Sequence, residues 1–271
     1  MRLLVSLAVV IFVAGCGQPT EDNAATPAKP KVQFERASAN QVEHGQRIAR
    51  VLGCFGCHGQ DLTGEDWSEP GFGKLWTANL TQAVPRYSDE QLASIIRGGA
   101  RPNGAELWEM PSHLFTKLTV DDMTALMAFL RSKPPTGAIR PLPHFEEGAR
   151  REMVAGTFKS SRTQVNEEGN QWPPNAGEQH ALGRYIVRAT CAECHGMNLQ
   201  GGQPTPDATP RPDLRVTISA YDQPAFERLL RTGKALGDRE LKMMSDVARG
   251  RYSHLTAAEL NAIRSYLTAI Q

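Results

Sequence analysis

No stretch of this chain stays apolar for the roughly 18 residues that a membrane-spanning helix needs. Nor does either sign of charge predominate: 30 Lys and Arg stand against 29 Asp and Glu, a formal net charge of +1. The first absence excludes a bilayer-crossing helix. The second removes the basic field by which nucleic-acid-binding proteins find phosphate. Aromatic residues are scarce, 7% of the 271, although 40% of residues are hydrophobic and Gly (24) and Pro (18) are plentiful. This combination describes small, loop-rich domains in which something besides side chains fills part of the core. The length predicts about two of them. No Gly-rich loop follows a strand and no Ser-His-Asp pattern is present, so phosphate-loop and serine-hydrolase chemistry are excluded. Five cysteines, being odd in number, cannot all pair as disulfides.

The N-terminus accounts for one of them. After Met1-Arg2 comes a 12-residue apolar stretch, Leu3 to Ala14, followed by Gly15-Cys16. One positive charge, a short apolar run and small residues at its end describe an export signal. Val13-Ala14-Gly15-Cys16 resembles the bacterial lipoprotein box. The resemblance implies that residues 1–15 are removed and that Cys16 takes a diacylglyceryl group on its sulfur. The other reading is a free cysteine in an ordinary signal peptide. Residues 16–38 are polar and Pro-rich and are expected to form a disordered tether behind the lipid. The protein is then exported and anchored to a bacterial membrane, facing the periplasm or the cell exterior.

The other four cysteines form two pairs with the same continuation. Cys54-Phe55-Gly56-Cys57-His58 and Cys191-Ala192-Glu193-Cys194-His195 both spell C-x-x-C-H, the attachment signature of c-type haem. Two thiols on one helical turn can add across the two vinyl groups of one porphyrin, and the next residue is then held beneath the iron. Cys54, Cys57, Cys191 and Cys194 are therefore candidate covalent attachment points for two haem c groups, with His58 and His195 as axial ligands. Zinc in paired knuckles and a redox dithiol are the competing readings. The histidine after each pair, the export signal and the matching flanks all count against them.

Those flanks show an internal duplication. Residues 45–54 answer 183–191, and Gly59-Gln-Asp-Leu-Thr-Gly64 answers Gly196-Met-Asn-Leu-Gln-Gly201. Asn79-Leu80 then matches Asp213-Leu214, and Ile95-Ile-Arg-Gly-Gly99 matches Leu229-Leu-Arg-Thr-Gly233. Each copy closes with an amphipathic helix, Leu118 to Leu130 and Leu255 to Leu267. Met123, Leu126, Met127 and Leu130 recur there at helical spacing, as do Leu260, Ile263 and Leu267. Thr119 and Thr256 are the expected N-caps, with Asp122 and Glu259 three residues on completing capping-box patterns. The expectation is all-α: domains of short helices and loops at 39–134 and 178–271, with no convincing strand.

A histidine-ligated iron needs a sixth partner, and thioether is a common choice because it raises the potential. Met110-Pro111 lies 52 residues after His58, in a loop before the last helix. Met243 and Met244 lie 48 and 49 residues after His195 at the corresponding place, also expected to be a loop. Met244 is preferred because Met244-Ser245 before Val247-Ala248 resembles the ligand loop of cytochrome c domains; Met243 is the alternative. Of the remaining histidines, His113 is the one placed to substitute for Met110.

Together these residues resemble a lipid-anchored dihaem cytochrome c with two tandem class I domains. The resemblance implies two haem c groups and single-electron transfer between redox proteins, a dehydrogenase or respiratory donor and a downstream acceptor. Paired domains of this kind occur in electron-transfer subunits of periplasmic alcohol and aldehyde dehydrogenases. A dihaem enzyme of peroxidase or thiosulfate-oxidising type is the alternative function. The segment 135–177 is expected to link the domains, with a possible helix over Glu146–Phe158 using Phe145, Met153, Val154 and Phe158. It either packs across both domains or is a plain surface linker. Arg97, Arg215 and Arg231 are candidate partners for haem propionates.

Overall fold

The computed structural model describes residues 32–203 and 208–271. The export signal, Cys16 and the first part of the tether lie outside the described residues. The first repeat folds as α1 (Gln41–Val51), α2 (Cys54–His58), α3 (Leu80–Ala83), α4 (Asp89–Gly98), α5 (Ser112–Phe115) and α6 (Val120–Arg131). The connecting segment adds α7 (Glu147–Ala155) and α8 (Ser161–Glu168). The second repeat then runs α9 (Ala181–Ala189), α10 (Ala192–His195), α11 (Leu214–Thr217), α12 (Gln223–Thr232), α13 (Met243–Gly250) and α14 (Ala257–Ala269). The fold is mostly helical, as expected. Strand is limited, among the described residues, to isolated bridges and one antiparallel pair, β1 (Gly73–Lys74) with β2 (His144–Phe145).

In each repeat the first helix crosses the last at a glycine. A Cβ on Gly45 would lie 1.9 Å from the Ala125 carbonyl oxygen, and one on Gly183 would lie 2.1 Å from the Ala262 oxygen. Bare backbone at these two points lets the helices approach closely enough to bury Ile48, Leu126 and Phe129 on one side, Ile186, Ile263 and Tyr266 on the other. The closing helices start where their caps place them. Thr256 forms a full capping box with Glu259, the hydroxyl accepting from Glu259 N and the carboxylate from Thr256 N. At Thr119 only half the box forms, because the Asp122 carboxylate accepts instead from Tyr185 Oη (2.6 Å) and Phe34 N (3.2 Å).

That diversion is one half of a reciprocal interface. Tyr185 of α9 meets Asp122 of α6, while Arg47 of α1 meets Glu259 of α14 with Nη1 to Oε2 at 2.7 Å. Residues 47 and 185 are equivalent between repeats, as are 122 and 259. The same two patches therefore face each other in exchanged roles, as in an isologous dimer interface. Residues 32–271 form one compact unit. Part of the expected tether belongs to it: Phe34 is fully buried and packs edge-on against Tyr185, with ring centroids 5.7 Å apart. Glu35 N also donates to Glu259. Residues 32–38 thus belong to the folded unit, because one aromatic side chain has a pocket between the repeats.

The connecting segment also departs from its expected form. Its first helix is α7, but Val154 is 92% exposed rather than apolar-facing. Phe145 and Phe158 instead join Phe72, Trp108, Leu75 and Met153 in a small second core on the first repeat. The polar helix α8, capped by Ser160, has no apolar periodicity to announce it. The segment reaches both repeats. Residues 169–174 offer carbonyls to Arg184, Arg188 and Tyr266.

Candidate functional site

Helix α2 begins after Gly53, whose φ of 85° turns the chain into it, and ends at Gly59 with φ 81°. This one turn carries Cys54, Cys57 and His58. Gly64 N then donates to His58 O at 2.9 Å, folding the following loop back under the helix. The second repeat reproduces this bond between Gly201 N and His195 O, also at 2.9 Å. Leu62 and Leu199 sit at the tip of each loop with φ of 64° and 61°, uncommon for leucine. Both are almost wholly buried, so packing holds the strained backbone in place.

Each histidine is aimed by the backbone. His58 Nδ1 lies 2.7 Å from Ala78 O, and His195 Nδ1 lies 2.9 Å from Pro212 O. A carbonyl can only accept, so Nδ1 carries the proton and Nε2 keeps its lone pair free for a metal. Burial holds both imidazoles below the usual histidine range, which keeps them neutral. Ala78 and Pro212 come just before the matched Asn79-Leu80 and Asp213-Leu214, where Leu80 N and Leu214 N bond to the strained leucines. The side chains at 78 and 212 share nothing, so sequence comparison passes over the carbonyls that matter.

None of the four thiols is in a disulfide, and each is partly buried. Burial pushes all of them up, Cys54 to about 12. A redox dithiol works with a lowered thiol pKa, so this environment disfavours that reading. Among the described residues no three His, Cys, Asp or Glu side chains are grouped to hold a metal ion by themselves. A zinc knuckle therefore lacks its donor set. The residues present do fit haem c: two unpaired thiols on one turn, followed by an imidazole with Nε2 free, in both repeats.

The methionines are located by backbone register. Isolated bridges join Ala100 to Glu106 and Lys234 to Glu240, at equivalent positions in the two repeats. Met110 and Met244 each follow the second bridge residue by four positions, which makes Met244 the counterpart of Met110. Both are half-buried against the core, whereas Met243 is 66% exposed. The expected loop holds only for Met110. Pro111 has no N–H to continue a helix there, so α5 starts at Ser112. In the second repeat Ser245 replaces that proline and its N–H bonds to Lys242 O, so Met244 stands in the first turn of α13. His113 Nε2 faces Glu168 of α8 at 4.0 Å. The three candidate arginines have protein partners: Arg97 with Leu118 O, Arg231 with Leu255 O, and Arg215 with Asp213.

Sequence reading missed two arginines at the centre of the unit. Arg188, 1% exposed, donates to the carbonyls of His113, Leu114, Gly169 and Gln171 and to Thr116 Oγ1. It ties together both repeats and the connecting segment. Arg251 spans the two C-x-x-C-H segments. Nothing in local sequence distinguishes either from a surface arginine.

Comparison with known proteins agrees with this geometry. A fructose dehydrogenase cytochrome subunit from Gluconobacter japonicus is 24% identical over 297 aligned residues, covering 98% of this chain and 58% of the relative. The chain thus spans less than two thirds of that relative's length. The family model for cytochrome c matches twice, at residues 42–134 and 180–271. Two matches over most of the chain, each enclosing the same thiols and carbonyl-held histidine, show that it belongs to the cytochrome c family.

Proposed function

We propose that this chain is an exported, lipid-anchored dihaem cytochrome c that relays single electrons from a dehydrogenase to a downstream redox acceptor. The carrying observation is the twofold occurrence of one ligand arrangement. In each repeat a backbone carbonyl holds the histidine Nδ1, two free thiols stand within the four residues before it, and a half-buried methionine stands at the same register. Cys54 and Cys57, and Cys191 and Cys194, would attach the two porphyrins. His58 with Met110, and His195 with Met244, would be the axial pairs. Haem c, when bound, supplies a one-electron ferric/ferrous couple. Two such axial pairs would leave little to reorganise between oxidation states, which would suit transfer rather than catalysis. The dehydrogenase donor is proposed from the relative's name. The anchor is proposed from the residues around Cys16.

Pyridine haemochromogen analysis of the purified protein should give two covalently bound haems per chain. The ferric protein should show a methionine-to-iron charge-transfer band. Met110→Leu and Met244→Leu should each remove about half of it, and Met243→Leu should leave it intact. A high-spin ferric spectrum with rapid peroxide turnover would replace this reading with the enzyme.

A further inference from the structure

Arg251 lies between the two attachment segments and touches both. Its Nη1 is 2.7 Å from Glu193 Oε2, and Glu193 sits between Cys191 and Cys194. Its Nη2 donates to Leu52 O at 2.9 Å and its Nε to Val51 O at 3.4 Å, just ahead of Cys54. The guanidinium lies so close to Gly53 that a Cβ there would come within 2.5 Å of Cζ. The Arg251 side chain is 15% exposed and that of Glu193 29%, so solvent screens this pair less than one on the open surface.

The pair occurs once. In the first repeat the equivalent positions hold Leu114 and Gly56, so both partners differ together between the copies. The Tyr185–Asp122 and Arg47–Glu259 contacts are reciprocal, with each repeat supplying one half of a matched contact. Here the second repeat supplies both charges and the first supplies only carbonyls.

We propose that Arg251, paired with Glu193, is a positioning residue shared by both haem-attachment sites, which holds the two segments together and sets the potentials of both centres jointly. This rests on the reading that both sites carry haem c. A fixed cation beside a redox centre favours its electron-richer state, and a carboxylate opposes it. Removing one member of the pair leaves the field of the other uncompensated at both centres. The two removals must therefore act in opposite directions.

The test is a spectroelectrochemical titration of holo-protein, wild type against Arg251→Met, Arg251→Lys and Glu193→Gln, with haem content measured on each. Arg251→Met should lower both midpoint potentials, Glu193→Gln should raise both, and Arg251→Lys should stay near wild type. A brace without electrostatic role would shift the two removals in the same direction or not at all, and that result overturns the proposal. So does a shift confined to one centre. If Arg251→Met does not accumulate, Glu193→Gln decides alone, and unchanged potentials there refute the idea. Wild-type protein lacking two haems would instead refute the parent reading.

Discussion

Replacing Gly45 or Gly183 by alanine tests whether the paired helix crossings set the stability of each repeat. Alanine is the better helix former, worth about 1 kcal/mol in an unobstructed helix. At Gly45 the added carbon would sit 1.9 Å from Ala125 O and 2.9 Å from Phe129 Cβ, and the first of these is backbone. No rotamer relieves that contact. α1 and α6 must separate by more than about 1 Å, enough to forfeit a quarter to a half of each dispersion contact along the crossing. Overpacking of this kind costs about 1–3 kcal/mol and occasionally more. Because the obstruction is a carbonyl and the crossing runs past the fully buried Ile48 and Phe129, we expect the upper end, a net loss of about 3 kcal/mol. For a unit of this size that corresponds to a Tm lower by about 6–12 °C. Gly183→Ala, 2.1 Å from Ala262 O and 2.6 Å from Tyr266 Cβ, should behave alike. Gly98→Ala is the control, since nothing lies within 4 Å of its added carbon. Thermal unfolding of the holo-proteins, followed by circular dichroism, reads all three. Unfolding of Gly45→Ala or Gly183→Ala within a degree of wild type would show that the crossings are looser than described.

Three further outcomes can be checked. His44 is 4% exposed and burial, aided by Arg47, lowers its pKa from 6.5. The unfolded chain then binds a proton that the folded one refuses, so stability declines as pH falls below about 6.5, by at most about 1.4 kcal/mol per pH unit for this group. Urea midpoints at pH 7.5 and 5 should show a smaller acid loss in His44→Phe than in wild type. Glu259→Ala would leave the half-buried Arg47 without its carboxylate and remove the carboxylate half of the α14 capping box. It should cost about 3–5 kcal/mol in chemical unfolding, with Glu259→Gln costing less. Cys16→Ser should move the protein from the membrane fraction to the soluble exported fraction, and retention in the membrane would refute the anchor.

The two C-x-x-C-H segments are legible in the sequence because the motif is local and has a fixed spelling. Cys54 to His58 and Cys191 to His195 could be read without knowing any tertiary contact. The closing helices were legible for a similar reason, their buried faces repeating within a few residues. Where the determining contact is distant, sequence is silent. Phe34 sits alone in a polar segment and gains its meaning only from Tyr185. Helix α8 is polar along its length and is held by Ser160 and its packing against α5. The register that matches Met244 to Met110 is visible only through the bridge from Lys234 to Glu240, since spacing from His195 differs by a single residue. Val154 was misplaced because a helix end gives too few turns to define a face.

The reciprocal contacts between the repeats also make each repeat's patch self-complementary. Arg47 faces Glu259 and Tyr185 faces Asp122, but each repeat is also complementary to itself. Two copies of the first repeat would set Arg47 against Asp122, an ion pair, and two copies of the second would set Tyr185 against Glu259, a hydrogen bond. A self-recognising patch of this kind has the symmetry of a homodimer interface. It also gives separated halves, or neighbouring chains at high concentration, a ready route to exchange partners. The connecting segment, docked onto both repeats, keeps the pairing within one molecule.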